Sequence, residues 1–288
     1  MTIDLPAART FIHANARVLE ARVAETLFDR GDPEAVVRAL AAYRNDDGGF
    51  GHGLEPDKRA PGSQPLDVEV ALERLVMAGA HAPVLVTGAC EYLATVADGD
   101  GAVPLAFPTI AAFPHAEHWD QILLDPALNP TASIVGFVHA LGIEHPWVSL
   151  ATEWCLRVLE TDGPPDEIHA LRCVTRLLEH APDQERAAAL AGSVAAALPG
   201  TAMFQERPAA KTYGLTPLEF APNPTSFGRP WFDEGVIAAH LDHLESQQQA
   251  DGGWPIAWEP PSEASRCDWR GIVTLQALRV LDAYGRLS

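Results

Sequence analysis

Apolar residues return every three or four positions through most of this chain, in segments rich in Ala, Leu and Glu, and strand-like alternation of branched residues is almost absent. A period of 3.6 places such residues on one helix face, so the pattern predicts a nearly all-helical protein. The predicted helices cover 5–29, 33–44, 66–80, 83–97, 130–142, 146–161, 165–181, 183–198, 231–249 and 268–285. Two long loops remain, 99–129 and 199–230, with room for short helices, and loops of that length inside a compact domain are usually functional lids or walls.

Prolines mark several helix starts, at Gly31-Asp32-Pro33, His81-Ala82-Pro83, His145-Pro146 and Ala181-Pro182. Proline suits the first helical turn because its missing N–H would have no partner there, and short connections make neighbouring helices antiparallel. The units are therefore helical hairpins. A glycine-rich turn recurs between them: Asp46-Asp47-Gly48-Gly49-Phe50, a worn copy Asp98-Gly99-Asp100-Gly101-Ala102, and Asp251-Gly252-Gly253-Trp254. The first and last copies continue alike, to Gly53-Leu54-Glu55-Pro56 and Ala257-Trp258-Glu259-Pro260 at equal offsets. Glycine supplies positive φ after a helix end, Asp bonds the turn's own N–H groups, and the aromatic packs between adjacent hairpins. Each hairpin alone leaves an apolar face exposed, so the repeats must stack; five to six of them, closed on themselves, are expected over one domain, 1–288.

Composition narrows the partners. The chain carries 39 acidic and 20 basic residues, a net charge of -19, and its cations are scattered. That excludes the basic stripe a nucleic-acid partner needs and disfavours anionic membranes. Apolar runs are broken by charges well short of the roughly 20 residues of a membrane span, and no secretory pattern opens the chain, so a soluble, cytoplasmic protein is expected. Cys90, Cys155, Cys173 and Cys267 lie far apart without a Cys-x-x-Cys pair, which predicts reduced and mostly buried thiols. Signatures of serine hydrolases, phosphate-binding loops and dinucleotide folds are missing.

The repeats resemble those of the alpha/alpha toroids, the fold of class II terpenoid cyclases and protein prenyltransferase beta subunits. The resemblance rests on Gln247 to Trp254 followed by Cys267-Asp268-Trp269-Arg270, and on Asp47 to Gly53 followed by Leu66-Asp67-Val68-Glu69. It implies an (α/α) toroid whose inner helices open at the mouth of an apolar cavity. An Asp-x-Asp-Asp acid motif is missing, the nearest being Asp67-Val68-Glu69 and Asp98-Gly99-Asp100, and Cys267-Asp268 differs in order from a zinc-binding Asp-x-Cys.

On that reading the inner-helix starts bring Asp67, Glu69, Asn129, Thr131, Asp166, His169, Asp233, Glu234 and Asp268 to one acidic mouth. Such residues also cap helices. A carboxylic acid in an apolar pocket keeps its proton through desolvation and like-charged neighbours, as a proton donor must. The resemblance thus implies an enzyme acting on an apolar, isoprenoid-like substrate by acid-initiated carbocation chemistry. Asp67 is the expected donor, with Glu69 or Asp268 as its electrostatic partner. Trp231 and Trp269 are expected to stabilise cations through their π faces, beside Asp233, Glu234 and His169. Lys58 and Arg59, in a loop with His52, Glu55 and Asp57, are candidates for a diphosphate or carboxylate. No cofactor is predicted, magnesium entering only with a diphosphate substrate. His115, His118 and Asp120 have a metal-like mixture, but a surface cluster is the simpler expectation. Two rival readings remain: a carbohydrate-active toroid with paired carboxylates, and a repeat scaffold that binds a lipid or peptide without catalysis.

Overall fold

The computed structural model describes residues 3–209 and 212–287, and among these the regular structure is helical, with twelve α-helices and only isolated β-bridges. None of these helices is long and apolar enough to cross a membrane. The chain gathers into two compact units. The central unit runs from Pro33 to Ala202, and the terminal unit combines the residues up to Asp32 with those from Met203 onward.

In the central unit the helices are α3 (Pro33–Leu40), α4 (Pro65–Ala78), α5 (Pro83–Val96), α6 (Leu128–Ala140), α7 (Pro146–Thr161), α8 (Ile168–His180) and α9 (Gln184–Ala197). Helices α4, α6 and α8 pack side by side, and α5, α7 and α9 form a second row behind them. Each expected hairpin thereby gives one helix to each row, which buries the apolar faces that a lone hairpin would expose. Pro33, Pro83 and Pro146 open their helices as predicted, whereas Pro182 precedes Asp183, whose carboxylate caps α9 at the Arg186 N–H. Gly79 ends α4 in the left-handed conformation, φ 60°.

The terminal unit holds α1 (Leu5–Asn15), α2 (Val18–Phe28), α10 (Pro217–Phe220), α11 (Glu234–Ser246) and α12 (Glu263–Ala283). Two expectations change here. The helix predicted over 5–29 breaks at Ala16, where the backbone turns extended; a Cβ on Gly271 would meet the Ala16 Cβ at 2.4 Å, so the break lies pressed against α12. The last helix starts at Glu263, capped by Ser262, five residues earlier than predicted. The polar Ser-Glu stretch hid its beginning from an apolar pattern. The predicted loop 199–230 contains α10 and short 3-10 turns, and 99–129 contains 3-10 turns at Pro108–Ala112 and Glu117–Trp119.

The three glycine-rich turns are the same structure. Gly48, Gly101 and Gly252 have φ of 89°, 89° and 90°. In each, the residue three before the glycine exchanges backbone bonds with it and with the residue after it: Asn45 with Gly48 and Gly49, Asp98 with Gly101 and Ala102, Gln249 with Gly252 and Gly253, all at 2.9–3.1 Å. Only glycine tolerates these angles without strain. Close packing adds a second reason, since a Cβ on Gly48 would meet the Gly88 carbonyl oxygen at 2.4 Å and one on Gly252 the Ala7 carbonyl at 2.4 Å. Phe50 and Trp254 are buried, as expected of packing aromatics. The Trp254 indole N–H donates to the Leu244 carbonyl, and the Trp254 backbone N–H to Thr274 Oγ1. In the worn copy, the Val103 N–H donates to Thr131 Oγ1 in the same manner.

Candidate functional site: a buried acid, lysine and acid

After Phe50 the chain takes a long irregular path before α4 begins at Pro65, and that path is covered. The loop following α5 lies along it: the Arg59 N–H donates to the Pro114 carbonyl at 2.9 Å, the Ala116 N–H to the Asp57 carbonyl at 2.7 Å, and Lys58 bridges His115. Trp119, Ile110 and Ala106 pack with Ala60 and Leu66 beneath this crossing. Gln64 ties the same two loops together, donating to Thr109 and accepting from the Phe107 N–H. The result removes Glu55, Asp57, Lys58 and Asp67 from water, at 7%, 6%, 0% and 0% exposure.

Three of these groups converge. The Lys58 ammonium sits 2.6 Å from Asp67 Oδ1 and 3.9 Å from Glu55 Oε2. Asp67 Oδ1 also accepts the Glu55 N–H at 2.7 Å. Asp67 is in the first turn of α4 and turns this oxygen to the loop. Glu55 Oε2 is buried without a hydrogen-bond partner. Burial raises the Glu55 carboxyl from 4.5 to about 8; Lys58 opposes this, and the Asp57 and Asp67 charges add to it. Loss of water disfavours the ionised form more than one ammonium at 3.9 Å restores it. At neutral pH Glu55 is therefore a neutral carboxylic acid, beside the Lys58–Asp67 salt bridge.

Glu69 points elsewhere. Its carboxylate takes Arg176 at 2.8 Å and lies 3.9 Å from the Cys173 thiol, which also faces Asn129 at 3.6 Å. Arg176 further binds Glu73 and donates to Ser133 at 3.1 Å, with its guanidinium 5.0 Å over the Phe137 ring. This network joins α4, α6 and α8. The expected Asp67–Glu69 pair is thus two separate sites, because residues two apart on a helix face different ways. Burial pushes the Cys173 thiol up to about 12, so it remains a thiol. The four cysteines are free, and all but Cys267 are buried.

The other sequence-predicted residues divide between the units. Lys58, a candidate for a diphosphate or carboxylate, is buried and paired with Asp67. Neighbouring Arg59 holds the covering loop through its backbone. His169 stands after the α8 cap, bonded to Glu167. His115 is bound within its own loop by Asp120 and the Phe113 carbonyl, both of which raise its pKa. In the terminal unit, Asp233 precedes α11 without a side-chain capping bond, and Glu234 pairs with Arg229. Trp231 stands edge-on to Phe227 at 5.8 Å, and Trp269 to Trp258 at 5.1 Å. Asp268 lies inside α12 rather than at its start, which corrects its placement at a helix mouth.

Beside the covered loop is an open cleft of about 530 Å³, walled by Ala60, Pro61, Gly62, Ser63, Tyr92, Val96, Phe107, Thr109 and Phe113. Its polar groups are occupied by one another: the Tyr92 hydroxyl donates to the Ser63 carbonyl, the Ser63 hydroxyl to Asp47, and Thr109 accepts from Gln64. The surface left facing the opening is mainly apolar.

No protein-family model and no curated protein matches the chain. Solved structures do. A crystal structure of a protein from Actinoplanes superposes with a TM-score of 0.55 at 16% identity, over 97% of this chain and 98% of that one. A single-residue variant of type II terpene cyclase MstE from Scytonema, in complex with its substrate geranylgeranyl dihydroxybenzoate, gives 0.52 at 14% identity, over 96% of each chain. A second variant of MstE, without substrate, gives 0.52 at 14%, over 96% and 95%. The fold is that of the type II terpene cyclases. This bears out the all-α class that the helical periodicity predicted, while chemistry is a matter for the site itself.

Proposed function

We propose that this protein is a terpene cyclase-like enzyme that acts on an apolar, isoprenoid-like substrate by acid-initiated carbocation chemistry. The observation that carries this reading is the Glu55–Lys58–Asp67 group, a neutral carboxylic acid kept beside a buried ion pair. Water around a carboxyl group keeps it ionised at neutral pH; here the covering loop excludes that water, and the proton is retained for transfer. The ammonium then offsets the negative charge that transfer creates.

Two further observations support the substrate class. The adjacent cleft offers an apolar wall of the size that small-molecule sites use, and MstE, of the same fold, is seen with a geranylgeranyl compound. The deciding experiment incubates purified protein with prenyl diphosphates and free polyprenols of several lengths, with and without magnesium, and analyses products by mass spectrometry. Cyclised, rearranged or dehydrated products are expected. If every compound is recovered unchanged, the isoprenoid reading falls.

A further inference from the structure

We infer that Glu55, not Asp67, gives up the proton, and that it passes to an oxygen lone pair of the substrate, such as the hydroxyl of an allylic alcohol on an apolar chain, and not to a bare alkene carbon. This rests on the function proposed above and narrows it.

The choice between the two acids follows from their hydrogen bonds. Asp67 Oδ1 faces two donors, the Lys58 ammonium at 2.6 Å and the Glu55 N–H at 2.7 Å, and two donors on one oxygen leave it no proton to offer there. Asp67 is the counter-ion that holds Lys58 in place, a positioning residue. Glu55 Oε2, by contrast with Asp67 Oδ1, has no hydrogen-bond partner, and it lies 3.9 Å from the Lys58 ammonium, which stabilises it once it is ionised.

The nature of the acceptor follows from the same vacancy in hydrogen bonding. A buried polar atom without a partner is costly, and a substrate oxygen supplies the missing acceptor in the bound state, which an alkene cannot do comparably. Acid strength agrees. General acid catalysis works best when donor and acceptor are matched, and an acid that holds its proton to about pH 8 suits an oxygen base far better than a π bond. In the step itself the Glu55 O–H bond breaks and its electron pair stays on the carboxylate, while a lone pair of the substrate hydroxyl forms the new O–H bond. The C–O bond then breaks with its pair going to oxygen, so water departs and an allylic cation remains. A π bond of the chain captures that cation, a proton is lost from carbon to water, and Glu55 is reprotonated from solvent.

The test uses the full chain with farnesol and with farnesene, its hydrocarbon counterpart. The proteins are wild type, Glu55→Gln, whose amide mimics the neutral acid in shape, and Asp67→Asn. Independently of substrate, ¹³C NMR of carboxyl-labelled glutamate, with Glu55→Gln as the assignment, reads the protonation of Glu55. Expected are dehydrated or cyclised products from farnesol and none from farnesene. Glu55→Gln is expected to lose on the order of 10²–10⁴-fold in turnover while still melting cooperatively. The Glu55 resonance is expected to titrate far above the ordinary carboxylate range, and higher still in Lys58→Met. Products from farnesene, or full turnover by Glu55→Gln, would overturn the inference and leave the isoprenoid reading standing. Absence of product from both compounds and from the wider prenyl panel would overturn the reading as well. A Glu55 resonance titrating near 4.5 sinks the inference whatever the turnover.

Discussion

Glu55 and Glu259 stand eight residues after Asp47 and Asp251 in two copies of one turn, each followed by proline, and they meet opposite fates. In the terminal unit the Glu259 side chain is 82% exposed and pairs with Arg266 at the surface. In the central unit Glu55 is 7% exposed and stays protonated to about pH 8. The turns are not the cause, since their φ angles and backbone bonds coincide. What differs is the cover. The Glu55 loop is longer and is crossed by the segment around Pro114 and Ala116, whereas after Glu259 the chain enters α12 almost at once, with Ser262 as its cap. A repeat thus supplies a scaffold, and an unrelated loop buries the acid of one of its copies.

The largest effect that sharpens this comparison is on stability against pH. The folded-state value of Glu55 lies above its ordinary 4.5, so between pH 4.5 and 8 the folded chain holds a proton that the unfolded chain has released. Stability is therefore fully present below that window and falls as pH rises through it, by about 1.4 kcal/mol per unit and about 4–5 kcal/mol in all. Denaturant unfolding of wild type against Glu55→Gln is expected to show this slope only in wild type. Glu259→Gln is expected to leave it intact; equal slopes in wild type and Glu55→Gln would place Glu55 in water.

Next in size is the ion pair. Lys58→Met strands a buried Asp67 and is expected to cost about 3–5 kcal/mol, while Arg266→Met removes an exposed pair and is expected to cost about 0–1 kcal/mol. Urea midpoints at constant m-value measure both. Similar costs for the two variants would erase the distinction between the copies.

The turns themselves are expected to behave alike. Gly48→Ala and Gly252→Ala combine positive φ with a Cβ 2.4 Å from backbone, and each is expected to cost about 2 kcal/mol or more. Gly62→Ala meets nothing within 4 Å and should be near neutral. Gly62→Leu then fills the apolar cleft without backbone strain, and weaker binding of a prenyl alcohol by this variant, read by calorimetry, would place the chain of the substrate there. The smallest effects are those of Thr131→Val and Thr274→Val, each removing the matching bond to the residue after a turn, for about 1 kcal/mol apiece in thermal melts.

Much of the scaffold was legible beforehand because it is local. Helical periodicity, helix-opening prolines and glycines at positive φ act within a few residues, and so the all-α class, most helices and the equivalence of the three turns follow from the chain as written. The errors have local causes too: the break at Ala16 carries no proline or glycine, and the Ser262 cap opens α12 with polar residues.

The site was only half legible. The sequence singled out Asp67 and its neighbouring loop, including Glu55 and Lys58, but helix-start acids, surface acids and buried acids are the same letters. Tertiary structure alone decided that Asp67 is spent on Lys58, that Glu69 is spent on Arg176, and that Glu55 keeps its proton. Protonation depends on which segments exclude water, and here those segments are joined by contacts such as Asp57 with Ala116, far apart in the chain. Repetition in the sequence determined the frame of this protein; the packing of one loop over another determined where its acid lies.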